Sequence, residues 1–199
     1  MFVKPLVAFV VSLLLGASAT GCAVDASEPM EDAEDGAVGT AEEAISADFI
    51  CDRRTYGRLD ATPARYGQLV AVRTGRPGNY DRFVMEFERG TQVPRFLLVK
   101  EADATWAQNE GRPLALEGTR GLSVITSFAS GWDMETGKPT YTGPRRFEST
   151  TTNVIQEAAQ VEDFEGTVHW GLGLSNQVCF RVTRLADPPR LVVDVKRKP

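Results

Sequence analysis

Histidine is nearly absent from this 199-residue chain: there is one, His169. A triad built on imidazole therefore has a single candidate base, and no Gly-x-Ser-x-Gly elbow accompanies it to supply a nucleophile. Asp163 and Glu165 stand near His169 in sequence, but it sits between Val168 and Trp170 in a predicted strand and reads as structural, so no catalytic residue is assigned. Cysteine is also scarce. Three thiols and one imidazole without clustered spacing do not make a structural zinc site, and no metal or cofactor is expected. Basic side chains are missing between Ala23 and Ile50, where nine acidic residues stand and no aromatic precedes Phe49. Such a run repels itself and has too little apolar area to offset chain entropy. No segment carries a sustained amphipathic helical period, and the one long apolar run, residues 5–18 (PLVAFVVSLLLGAS), is short for a bilayer span.

What is present at that end is a processing signal. Lys4 supplies a positive start, the apolar run follows, and Ala19-Thr20-Gly21-Cys22 resembles the lipobox at which bacterial lipoproteins are cleaved and acylated, with Ala19 where Leu is usual. Residues 1–21 are read as a lipoprotein signal peptide. Residues 22–50 are read as a lipidated Cys22 with a disordered acidic tether, which makes a membrane the first partner through the lipid anchor. An ordinary signal cut would instead leave Cys22 as a free thiol. Ala23 and Val24 do not look like an inner-membrane retention signal, so an exported protein facing the periplasm from the outer membrane is expected where the cell has one.

Residues 51–199 hold 21 basic and 18 acidic side chains, a balance too even for the basic field that nucleic acid requires. About 150 residues make one ordinary domain. Within it, apolar residues alternate in short bursts bounded by Gly, Pro, Asn and Asp. The clearest burst is Tyr80–Glu88, with Phe83, Met85 and Phe87 on one face. Others are Gln68–Arg73, Phe96–Lys100, Leu114–Leu116, Leu122–Phe128, Asn153–Ala158, Gly166–Leu174, Val178–Thr183 and Leu191–Lys196. The expected fold is all-β, a β-sandwich of eight or nine short, mostly antiparallel strands, with Asn153–Val161 able to bend into one short helix. The last strand, apolar on both faces, is expected to be central. Asp194 within it is expected to be neutralised by Arg82 or Arg181. Cys51 and Cys179 lie in the exported folded part and are expected to form a disulfide; the other reading of Cys179 is a buried thiol.

Several blocks in this region carry a family likeness: Tyr80-Asp81-Arg82-Phe83-Val84-Met85-Glu86-Phe87, Tyr141-Thr142-Gly143-Pro144-Arg145-Arg146-Phe147, Asp163-Phe164-Glu165-Gly166, and the closing stretch Phe180–Val195 with Asp187-Pro188-Pro189-Arg190 inside it. Laid out in this order from about residue 66 to 197, they resemble the AMIN-like domain of bacterial secreted proteins and lipoproteins. The resemblance implies a β-sandwich acting as a non-enzymatic localisation or binding module in the envelope, with peptidoglycan or an envelope protein as partner. It brings no catalytic residue.

Beside it stands the reading of the residues themselves. The Gly- and Pro-rich loop from Gly131 to Gly143 and the residues after it combine Trp132, Tyr141, Arg145, Arg146 and Phe147. Aromatic faces stack on sugars and Arg grips carboxylates by two bonds, so this is the candidate binding cluster. The alternative function is an envelope glycan hydrolase using an unrecognised carboxylate pair drawn from Glu86, Glu88, Glu148 or Asp194. The polar stretch Ala102–Arg112 is either a substrate-facing loop or functionally silent.

Overall fold

In the computed structural model of the chain, the described residues are 41–44 (main chain only), 48–58, 66–108 and 112–199. The signal segment, Cys22 and most of the expected tether lie outside them. Fourteen strands and no helix occur among the described residues. In spatial order, the first sheet runs β1 (Ala41–Ala44), β13 (Val178–Leu185), β14 (Arg190–Arg197), β4 (Asp81–Phe87), β3 (Gly67–Gly75) and β9 (Ala129–Ser130). The second runs β10 (Arg146–Glu148), β11 (Ile155–Phe164), β12 (Thr167–Leu174), β8 (Arg120–Ser127), β5 (Arg95–Glu101) and β2 (Thr55–Arg58). A two-stranded piece pairs β6 (Thr105–Trp106) with β7 (Leu114–Ala115). Every pairing is antiparallel except that of β3 with β9.

Alternation explains how the sheets meet. Phe83, Met85 and Phe87 of β4, Phe180 and Val182 of β13, and Leu191, Val193 and Val195 of β14 point to one side. They share a single core with Phe96 and Leu98 of β5, Leu122 and Val124 of β8, and Val168, Trp170 and Leu172 of β12. The Trp170 ring lies 6.0 Å from that of Phe83 across the gap. As expected, β14 is interior, between β13 and β4. On its outer face Asp194 stands directly opposite both Arg82 and Arg181, and both donate to its carboxylate, Arg82 Nε at 2.7 Å and Arg181 Nη2 at 2.7 Å. Cys51 and Cys179 form the expected disulfide, with Cα atoms 4.1 Å apart, beside a main-chain bridge between Ile50 and Phe180.

Three expectations are corrected. The strands number fourteen in open sheets, because pieces of two to four residues such as β2, β9 and β10 are too short to show a period. The stretch Asn153–Val161 is not helical but opens the ten-residue strand β11, whose register shifts near 155–157 and 160–162 break the two-residue alternation. Strand structure begins within the stretch expected to be disordered, since Ala41–Ala44 pairs with β13. The folded part thus starts ahead of Cys51. Part of the polar stretch Ala102–Arg112 forms β6 and packs Trp106 with Ala104, Leu116 and Ala159 on the outer face of the second sheet. Glycine makes room for it: a Cβ on Gly171 would come within 3.0 Å of the Trp106 ring. The indole Nε1 donates to Ser123 Oγ at 2.8 Å, and that hydroxyl donates to Glu101.

Candidate functional site

The segment between β9 and β10 is built around Asp163, near the end of β11. Its carboxylate accepts from the Gly131 amide at 3.1 Å and from Ser130 Oγ, while Ser130 Oγ accepts from the Trp132 amide. The Gly131 carbonyl accepts from the Thr140 and Tyr141 amides, and Thr140 Oγ1 donates to the Leu69 carbonyl of β3. At the tip, Asp133 accepts from the amides of Glu135 and Thr136 and from the Thr136 hydroxyl. The hydroxyl contact first, then the amides, hold the Asp133 carboxyl below the usual range. Burial pushes Asp163 up, opposed by the Gly131 amide, Ser130 and the charge of Arg145. Residues 131–141 are therefore tied down at both ends.

This geometry divides the five candidate residues. Tyr141 is buried, its ring set edge-on to Trp170 at 5.9 Å, and its hydroxyl donates to the Pro144 carbonyl. Phe147 packs against the same indole, ring centroids 6.0 Å apart. Arg146 forks onto the buried Glu157, with Nη2 also donating to the Ala115 carbonyl. Burial opposes the charge on Glu157, but the Arg146 hydrogen bond, the Glu117 amide and the Arg146 charge outweigh it and hold its carboxyl below the usual range. These three residues are engaged in the fold, Arg146 keeping 54% of its side chain exposed. Trp132 and Arg145 remain. Trp132 is 39% exposed, and Arg145 is exposed with its main-chain carbonyl fixed by the Gln160 amide. Asp163 relates them, since it holds the residue preceding Trp132 and lies in the field of Arg145.

Sequence reading missed their apolar neighbours. Among the described residues, the large hydrophobics left exposed are Trp132, Met134, Tyr66 and Phe164. Phe164 closes β11, one residue from Asp163. Tyr66 leads into β3, its ring against Phe128 and its hydroxyl beside Gly166 in the β11–β12 turn. All four surround one end of the sheets. Their spacing in sequence carries no signal because four separate segments contribute them.

The proposed catalytic alternatives fare differently. His169 Nε2 is buried and makes no hydrogen bond among the described residues, and burial pushes the imidazole down to about 4. Asp163 is engaged with the loop rather than with His169. Of the carboxylates named for glycan hydrolysis, Asp194 is paired as above and Glu86 holds Arg73 at 2.9 Å. Among the described residues no group of three or more His, Cys, Asp or Glu converges as a metal site. A cavity of about 590 Å³ opens at the opposite end of β8 from this loop, beside Cys51 and Arg120.

Compared with known families, residues 67–197 match the AMIN-like domain. Neither the curated proteins nor the solved structures compared with the chain include a match.

Proposed function

The chain belongs to the AMIN-like domain family, and from that premise we propose that it is a non-enzymatic binding module of the cell envelope that recognises peptidoglycan. The observation that carries the reading is the end of the sheets where Trp132, Met134, Tyr66 and Phe164 stay exposed around the loop held by Asp163, with Arg145 at its border. A rigid loop presenting flat apolar area beside a guanidinium suits a sugar face and the carboxylate of an attached peptide. The family likeness and the signal at the N-terminus support an envelope address, with a lipidated Cys22 holding the domain to a membrane and a protein partner as the competing use of the same surface.

Sedimentation of the purified full chain with isolated sacculi tests this. Wild type is expected to pellet, and Trp132→Ala combined with Arg145→Gln to reduce pelleting at least tenfold, whereas neither change disturbs the core. Absence of pelleting removes peptidoglycan as ligand; pelleting unchanged in the double variant removes this surface; release of muropeptides by wild type overturns the non-enzymatic reading. The intact mass of the same preparation reads Cys22, where an unmodified N-terminus rejects lipidation.

A further inference from the structure

The cavity of about 590 Å³ lies where the segment after Cys51 crosses the ends of β5, β8 and β13. Its wall carries Arg53, Arg54, Lys100, Arg120 and Lys198 against two acids, Asp52 and Glu101. A second hollow shares Arg120 and Lys198 and adds Arg197. How the cations are held matters more than their number. Arg54 Nε donates to the Lys100 carbonyl at 3.2 Å, Arg120 Nη1 to the Ala102 and Thr119 carbonyls, and Lys100 Nζ to the Cys51 carbonyl at 3.0 Å. A carbonyl orients a cation without neutralising it. Glu101 spends one oxygen accepting from Ser123. Burial first, then the charge of Lys198, push the Lys100 ammonium down, and the charge of Asp52 offsets them only in part. The carbonyls, and the Phe180 ring 5.1 Å from Lys100 Nζ, fix where these groups point, but five cations face two acids in the wall and the cleft keeps an excess of positive charge.

An anion offsets that excess, and the side chains select its kind. Ammonium groups act as point charges that favour dense negative charge, while guanidinium groups bond oxyanions in pairs. A phosphate monoester carries about 1.5 to 2 negative charges near neutral pH and three acceptor oxygens, and the volume falls in the range of roughly 300 to 1,000 Å³ typical of small-ligand sites. We propose that this basic cleft beside the disulfide binds a phosphate-bearing ligand, through Arg120, Lys198 and Lys100. The site is separate from the aromatic end and does not depend on peptidoglycan recognition.

Two sources share this chemistry, a soluble phosphate compound and a phospholipid headgroup, and two assays separate them. The purified full chain is titrated calorimetrically with sodium tripolyphosphate, with sodium sulfate at equal ionic strength as control, and co-sedimented with phosphatidylcholine vesicles with or without phosphatidic acid. Saturable binding to tripolyphosphate over sulfate assigns a soluble ligand; excess binding to phosphatidic acid vesicles alone assigns a headgroup. In either case Arg120→Gln with Lys198→Gln is expected to weaken binding at least tenfold. Both residues are exposed, and unchanged thermal unfolding shows the fold intact, while Lys100→Gln provides a separate loss. No binding in both assays, an equal response to sulfate, or full retention by the double variant overturns the proposal.

Discussion

Asp81 and Asp194 are both buried aspartates of the first sheet, yet only one announces its partners. Asp194 alternates with Val193 and Val195 on a strand whose neighbours carry Arg82 and Arg181, so an ion pair follows from pairing the strands. Asp81 instead accepts three main-chain amides, from Asn153, Val154 and Ile155, and so fastens the start of β4 to the start of β11 across the two sheets. A carboxylate that replaces backbone pairing in this way leaves no mark in composition. His169 makes a measurable case of the same kind. Its folded imidazole titrates at about 4 against about 6.5 unfolded. Above 6.5 both states are neutral and nothing is lost; as pH falls towards 4 the unfolded chain takes up a proton that the folded one refuses, and stability drops by roughly 3 kcal/mol before levelling. Urea unfolding across pH 7 to 4.5 is expected to show this slope in wild type and to lose it in His169→Gln. Glu157, held low by Arg146, contributes its own loss only below the ordinary carboxylate range.

The β6–β7 hairpin shows how an outer face can be covered without bulk. Trp106 lies over β8 and β12 only because Gly121 and Gly171 leave their outward positions empty. Gly171→Ala places a methyl 3.0 Å from the indole and is expected to cost about 1 to 3 kcal/mol through overpacking, read as a lower thermal midpoint with red-shifted tryptophan emission. An unchanged midpoint would mean that the indole shifts freely. Regular strands such as β4, β8 and β12 were legible from their alternation, as was the interior place of β14. Irregular pieces were not: the register shift of β11 between Ile155 and Glu157 sets Ile155 and Ala158, three residues apart, into the same core, imitating a helical period. The loop cluster divides for a related reason. Aromatic type marks Tyr141 and Phe147 as useful area, but in a loop or a three-residue strand nothing in sequence tells which side they face. Arg145 and Arg146 differ because adjacent residues of an extended chain point oppositely, and only the pairing of β10 with β11 reveals that Arg146 meets Glu157. The basic cleft is still less visible, since its cations come from positions 53, 54, 100, 120 and 198.

The Cys51–Cys179 bond spans 128 residues and closes a loop that encloses most of the domain. Restricting so long a loop is worth about 4 to 5 kcal/mol in the entropy account, so reduction with dithiothreitol is expected to lower the urea midpoint markedly without abolishing the strand signal in circular dichroism. A midpoint unmoved by reduction would show that the sheets alone supply the stability. The strand order in which this bond sits has a bearing on timing as well. In the first sheet β13 and β14 stand between β1 and β4, which places strands late in the sequence between strands that precede them by more than 90 residues. A chain emerging from its N-terminus can form the β3–β4 hairpin early, but β1 and β4 have nothing to join them until residues 178–197 arrive. Long-range pairing of this kind is slow to nucleate. A chain without residues 178–197 lacks Cys179, both interior strands and the partner of β1, and is left with open edges that proteases and aggregation find first: one hairpin late in the sequence decides whether the earlier strands are sheltered or exposed.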